Sequence, residues 1–516
     1  MSLTLAALAT LSVAYLVYHF CWSLFFSPLA RIPGPKSFAF SRLTLAYEDY
    51  KGTRTRKLNE LHRKYGPVVR VGPNEVAFDS LSALRTIYGA GSAFERTSFY
   101  DMFQAYGRKN MFTYASTKDH GERKRMLAHA YAKSVLLRGR NSEMIMSKAN
   151  NFLELLEREG RTSEIFSTLH YFSIDNITEF LYGKFGKTAC LEGVAKDRAL
   201  ISDIMDVSRR KLTWFTIHFP NFTSWLYSQT GFMGGVAQHF YPMATPTTYT
   251  GIRLHAMKAC QAYSSASEDQ RANEESVISK LWKHHRTAKE NGLDDLDVAA
   301  ECADQLLAGI DTTSDTLMFL IWCLSRPEHK AYQQKVIDEV SKISNAELNA
   351  DGIPHSEVCD KLAYVDAVIK ETLRLFAPLP ASEPRSLPRA STIDGYLIPA
   401  RTVVSMSPYT LHRNLEMFKN PSEFNPDRWL DPSQDAAEMK KLFWAFSSGG
   451  RMCIGMHLAM AEMTTLVASM YRKYTTKTSG EFNTVSPGIT SRFEVFYDET
   501  CRDVREHECR IQFVPQ

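Results

Sequence analysis

Residues 2–30 contain no Asp, Glu, Lys or Arg. The apolar run 3–26 within them is long enough, at ~1.5 Å of rise per helical residue, to cross the ~30 Å core of a bilayer. No other feature restricts the chain as strongly, because such a run is stable only as a helix in lipid or is a signal that is cut away. A cleaved signal has early basic residues and a shorter apolar stretch, whereas this run opens without Lys or Arg and continues into Trp22, Phe25 and Phe26. It reads as an uncleaved, single-pass anchor. The first positive charges, Arg31, Lys36 and Arg42, follow the run and place the rest of the chain on the cytoplasmic side, with the endoplasmic reticulum membrane as the expected location. In that reducing compartment the nine cysteines, an odd number with no CxxC pair, are expected as free thiols, and the sequons at Asn176 and Asn221 as unglycosylated. Pro33-Gly34-Pro35 cannot continue a helix and ends the span. The expected division is an anchor over 1–30, a proline-rich hinge over 31–36 and a body over 37–516.

The whole chain has the composition of a globular core, with 44% hydrophobic and 12% aromatic residues. With 61 Lys+Arg against 57 Asp+Glu, it lacks the basic excess of a nucleic-acid binder, and none is expected as a partner. β-Branched residues flank Gly72-Pro73-Asn74 and predict two short strands over 68–78. Helical spacing dominates 141–325, interrupted by a polar run at 264–275 that reads as a loop. Strand character returns at 392–404, 492–497 and 510–514. The expected fold class is mostly α with small β-sheets, α+β. Residues 214–241 hold nine aromatics, which read equally as helix-packing core or as a surface that dips into lipid or lines an entrance for an apolar ligand.

The most informative run is Phe446-Ser447-Ser448-Gly449-Gly450-Arg451-Met452-Cys453-Ile454-Gly455. A cysteine after a glycine pair and an arginine, and before another glycine, lies in a tight loop whose N–H groups can point at sulfur and favour thiolate. With no other cysteine nearby and only His457 close in sequence, a zinc set is incomplete. A metal at Cys453 must bring its other ligands, as haem iron does. A buried, inert cysteine is the alternative. The run resembles the haem-thiolate loop of the cytochrome P-450 family, FxxGxRxCxG, matched by Phe446, Gly449, Arg451, Cys453 and Gly455.

Two further runs support the resemblance. Glu371 and Arg374 lie three apart on a helical stretch and can pair, although an isolated ExxR is usually a surface ion pair. The resemblance implies that they form a buried set with Arg428 of Phe424-Asn425-Pro426-Asp427-Arg428-Trp429. Ala308-Gly309-Ile310-Asp311-Thr312-Thr313 lies inside a helical run over 294–324, where glycine costs up to ~1 kcal/mol and needs a reason. Helix packing is one reason. The resemblance implies another, in which the small residues leave room above the iron and Asp311 and Thr312 relay protons to dioxygen. It also implies cations for the haem propionates: Arg451, Arg385, and His120 with Lys124, which depart from the family's WxxxR pattern and leave Arg125 as a rival.

No GxGxxG follows a strand and no P-loop or HExxH is present, so electrons must come from outside. The resemblance implies a cytochrome P-450 fold behind a transmembrane helix, a haem cofactor with Cys453 as axial thiolate, and an NADPH-dependent flavoprotein reductase as partner. Lys440, Lys441 and Lys124 are candidate docking cations. The expected activity is insertion of one oxygen atom from dioxygen into a lipophilic small molecule. Residues 65–74 and His412-Arg413-Asn414 look like those of fungal microsomal members in secondary metabolism, with terpenoid, polyketide or alkaloid substrates. The substrate itself is set in this family by a loop, here 98–117, and by the aromatic stretch. Two rivals stand beside this reading: a haem-thiolate isomerase or dehydratase, which has no use for the Asp311-Thr312 relay, and a non-catalytic haem protein.

Overall fold

The computed structural model describes residues 2–205, 208–240, 251–285, 292–432 and 436–516. The charge-free start forms the helix Ser2–Cys21, continued by a wider π turn Trp22–Phe26. This segment is long and apolar enough to span a membrane, and its apolar window is not buried in protein. It ends where Arg70 reaches it. The buried Arg70 guanidinium donates to the Ser23 carbonyl at 2.7 Å, to the Ser23 and Ser27 hydroxyls at 3.3 and 3.4 Å, and to the carbonyls of Gly72 and Pro73. These partners are neutral oxygens, and Ser23 lies at the negative end of the helix dipole. The Arg70 N–H also donates to Pro33 at 2.7 Å, which ties the proline-rich turn to the strand Val68–Gly72.

The chain forms two compact units, one of Met1–Phe99, Pro380–Pro421 and Met439–Met452, the other of Tyr100–Leu379, Ser422–Glu438 and Cys453–Gln516. The first holds a five-stranded sheet in the order Val68–Gly72, Glu75–Phe78, Val403–Ser405, Arg385–Ser386, Glu95–Arg96. Its first two strands form the expected antiparallel pair, with Val68 opposite Phe78. Val69, Val71 and Ala77 pack from this sheet against Phe38, Leu45, Leu58 and Leu61 of three early helices. The region expected as strand at 392–404 divides. Ser391–Ile393 and Tyr396–Ile398 pair across Asp394-Gly395, while Val403–Ser405 joins the larger sheet in parallel with Glu75–Phe78.

The second unit is built on the 31-residue helix Asp295–Ser325. Asp294 and Asp297 form a reciprocal cap at its start, and Pro327 follows its end. The helix passes the length and polarity test for a membrane span, but 72% of its apolar window is buried, so it is a core helix. It packs beside Ile165–Tyr182. A Cβ on Gly309 would stand 2.6 Å from Ile177 Cγ1, so this glycine lets the two helices approach. Of the two reasons expected for Gly309, this close approach shows the helix-packing one. Two three-stranded sheets complete the unit, one around Val485–Ser491 and one around Arg510–Pro515.

Three further expectations are resolved here. The polar run 264–275 is not wholly loop, since Gly251–Ser265 runs into it and Glu268–Arg271 forms a turn capped reciprocally by Ser267 and Gln270. Asn176 is buried and donates to the Phe172 carbonyl, so it has no room for a glycan. In the aromatic stretch, Phe222, Trp225 and Phe232 are 47%, 51% and 84% exposed and lie at the surface, while Trp214, Phe215 and Phe219 are half-buried; Tyr241 lies outside the described residues.

Candidate functional site

The segment leading into Cys453 is held by polar contacts. In the first unit the Trp444 N–H donates to His412 Nε2 at 2.8 Å and the Trp444 indole to the Ser448 hydroxyl at 3.0 Å. Ser448 donates in turn to the Tyr88 carbonyl at 3.1 Å. Gly449 has φ +62°, and a Cβ there would fall 2.4 Å from the Tyr88 carbonyl oxygen, so only glycine fits. Phe446 and Arg451 are half-buried. In the second unit the helix Met456–Lys473 begins just after Cys453, with Gly455 as its N-cap and a Cβ position 3.8 Å from the Cys453 sulfur. The sulfur thus stands at the positive end of a long helix, which favours thiolate.

Glu371, Arg374 and Arg428 come together in the second unit with at most 1% of each side chain exposed. Arg374 grips Glu371 with two bonds, Nε to Oε2 at 2.9 Å and Nη2 to Oε1 at 2.8 Å. Arg428 Nε donates to Oε1 at 3.0 Å, the Trp429 indole to Oε2 at 3.0 Å, and the Asn425 N–H to Oε1 at 2.9 Å. Burial alone would raise the Glu371 carboxyl, but the two guanidinium groups and these donors hold it below the usual range. Trp429 and Asn425, from the same run as Arg428, complete this cluster.

In the interior of the long helix Leu307 is 40% exposed, and Ala308 is also exposed, although the surrounding turns are buried. The Thr312 hydroxyl donates to the Ala308 carbonyl at 2.8 Å. The Asp311 side chain is 38% exposed. One turn away lies a group that sequence reasoning missed. Thr313 hydrogen-bonds Glu462 of Met456–Lys473, a buried acid whose carboxyl is pushed up to about 8 by burial, with the Thr313 bond opposing.

Of the basic residues on Thr117–Leu127, His120 is buried, Lys124 half-buried and Arg125 exposed. The unforeseen member is Arg123, which is buried and pairs with the buried Glu301 of the long helix at 2.8 Å. Glu301 also accepts from the Met111 N–H at 3.0 Å and from Gln305 at 2.9 Å, so this pair fixes both Thr117–Leu127 and the loop before it. The local sequence did not mark this acid out, since Asp297, Asp304, Asp311 and Asp315 share its helix. In the first unit Arg385 is 1% exposed, lies over the Tyr88 ring and pairs with Glu383 at 3.3 Å. Tyr100, in the loop expected to set the substrate, is buried against Phe112.

The donor chemistry fits haem. All nine cysteines are free thiols, and Cys453 alone among them is exposed. No group of three or more His, Cys, Asp or Glu able to hold a metal occurs among the described residues, so a metal at Cys453 must arrive with its other ligands already in place. The family model for cytochrome P-450 matches residues 32–489. Among curated proteins, the chain is 28% identical to cytochrome P-450 monooxygenase orf2 of Aspergillus niger, over 87% of this chain and 86% of that one. It is also 28% identical to cytochrome P-450 monooxygenase stcB of Emericella nidulans, over 87% and 82%, and to cytochrome P-450 monooxygenase cypX of Dothistroma septosporum, over 91% and 89%. A thiolate-favouring loop, a buried Glu-Arg-Arg set and a match across most of the sequence lead to one assignment: the chain belongs to the cytochrome P-450 family, whose members bind haem through a cysteine thiolate.

Proposed function

We propose that this chain is a membrane-anchored, haem-thiolate monooxygenase that inserts one oxygen atom from dioxygen into a lipophilic small molecule of fungal secondary metabolism. The observation that carries this reading is the exposed Cys453 thiol at the start of Met456–Lys473. Haem bound there supplies the activation of dioxygen. Cys453 would hold the iron through its thiolate, which the start of Met456–Lys473 favours. Arg451, Arg385, His120 and Lys124 are the propionate partners in this reading. Lys124, half-buried where Arg125 is exposed, is the better placed of those two.

Thr312 has a hydroxyl oriented by the Ala308 carbonyl, and its remaining lone pairs can accept a proton-bearing neighbour. Asp311 holds the proton that passes to it. The aromatic surface with Phe222, Trp225 and Phe232 and the loop with Phe103 and Phe112 suit an apolar substrate approaching from lipid. Electrons come from an NADPH-dependent flavoprotein reductase, for which the exposed Lys440 and Lys441 on Ala436–Leu442 offer a basic face. The span Thr4–Phe26 and the basic residues after it fit an endoplasmic reticulum location with a cytosolic body.

The test is co-expression with a microsomal reductase, followed by incubation with NADPH, heavy-isotope dioxygen and a lipophilic fungal extract. A metabolite that gains one labelled oxygen, and that disappears with Cys453→Ala, supports the reading. Turnover of a peroxide without NADPH would instead favour an isomerase or dehydratase.

A further inference from the structure

In the second unit the Asp311 carboxyl lies on a cavity of about 190 Å³, lined also by Asp203, Asp315, Arg492 and His507. Asp315 is one turn further along the same helix and is buried. His170, on Ile165–Tyr182, is buried between them. Its Nε2 is 3.9 Å from Asp315 Oδ1 and 4.0 Å from Asp311 Oδ1. The other ring nitrogen, Nδ1, is 2.7 Å from the Phe166 carbonyl, which can only accept, so Nδ1 carries the hydrogen and Nε2 presents a lone pair. Neither His170 Nε2 nor Asp315 Oδ1 has a direct hydrogen-bond partner among the described residues. Their separation is too long for a direct bond and is one that a bridging water spans.

A buried carboxyl with a like charge one turn away does not ionise readily. Burial, and then the charge of Asp311, push Asp315 well above the usual carboxylate range. Burial pulls His170 down to about 4, with the Phe166 carbonyl opposing and His507 adding to the effect. The cluster thus places an acid that resists ionisation beside a bare imidazole nitrogen. The charged or titratable groups that face it from other elements are Asp203, Arg492 and His507, the last stacked on Phe166 and 3.7 Å from Glu506.

We infer that Asp315 and His170 form a proton-holding pair behind Asp311, taking protons from the cavity and passing them to the Asp311 carboxyl. The Asp315 O–H breaks as His170 Nε2 gains the proton, Nε2 returns it to an ionised Asp311 oxygen, and water in the cavity reprotonates Asp315. The inference rests on the proposed role of Asp311 and Thr312, and Asp315 and His170 act through Asp311 as positioning residues.

The experiment compares Asp311→Asn, Asp315→Asn and His170→Gln in the haem-loaded enzyme with its reductase. Three quantities are read: haem content, the fraction of NADPH electrons appearing as hydrogen peroxide, and the infrared carbonyl band of a protonated carboxylic acid in the resting protein. The expected result is full haem content, loss of the Asp315 component of the band in the Asp315→Asn-minus-parent difference spectrum, with the component from the buried Glu462 left in place, and a peroxide fraction raised by about tenfold in Asp315→Asn and His170→Gln. An Asp315→Asn difference spectrum with no lost carboxylic-acid component overturns the inference. So does unchanged coupling in both pair variants when Asp311→Asn is uncoupled, and that outcome leaves the role of Asp311 standing. Unchanged coupling in Asp311→Asn removes the role of Asp311 and the inference with it. If Asp315→Asn takes up no haem, His170→Gln alone decides by its coupling.

Discussion

Glu371 and Asp315 are both buried acids in the second unit, yet their surroundings differ in kind. Glu371 receives donors from Arg374, Arg428, Trp429 and the Asn425 backbone, and its charge is held below the usual range. Asp315 has His170 at 3.9 Å, Asp311 as a like-charged neighbour, and a carboxyl pushed upward. A saturated ion cluster has one stable protonation state and one geometry, so it serves to fix structure. An under-coordinated cluster can exchange protons at small cost, so it suits chemistry. Glu462 stands between the two, with the Thr313 hydroxyl as partner and a carboxyl raised to about 8.

The largest effect is expected where the ion cluster is broken. Glu371→Ala leaves Arg374 and Arg428 buried without their acid, a loss of about 3–5 kcal/mol. Haem content from the carbon-monoxide difference spectrum should fall to near zero; a variant with normal content would show that the cluster does not fix the structure.

Next comes Glu462. The folded protein keeps a proton that the unfolded chain releases above the ordinary carboxyl range, so this group's contribution to stability is fullest at low pH and is lost as pH rises toward 8. Glu462→Gln, which stays neutral, should be about 3 kcal/mol more stable than the parent at pH 7, with the difference shrinking toward pH 4. Glu371 should behave in the opposite sense, since its lowered carboxyl stabilises the fold above the unfolded value and loses that contribution as pH falls through the folded one. Denaturant titrations at several pH values distinguish the two slopes.

Arg70 offers a third arrangement, a buried cation satisfied by neutral oxygens. Arg70→Met removes hydrogen bonds to the end of the anchor worth about 2 kcal/mol. Limited proteolysis of vesicle-bound protein should then cut within 27–36 faster than in the parent, while haem content changes little. The smallest change in stability is expected for Thr312→Ala, whose hydroxyl bonds only its own helix among its recorded contacts. Haem content and thermal midpoint should match the parent, whereas peroxide release per NADPH should rise by about tenfold.

Motifs of local spacing were legible in the sequence. Glu371 and Arg374 are one helical turn apart, Gly449 and Cys453 share one loop, and the apolar start has no charge to interrupt it, so each could be read from neighbours along the chain. Long-range pairings were not. Arg123 meets Glu301, His170 meets Asp315, and Arg70 meets Ser23 only because separate elements pack together, and nothing in either partner's local pattern names the other. Gly309 carried a signal for helix packing whose partner was not legible, since the residue that requires it, Ile177, lies on another helix.

By itself the sequence determined the helix-rich class and an apolar segment long enough to span a membrane, because these depend on composition and periodicity, while the Cys453 loop carried the resemblance to the family. Only the tertiary structure decided which buried charges are saturated and which are left to titrate. Desolvation and hydrogen-bond satisfaction are set by neighbours in space, and an aspartate has the same letter in either setting.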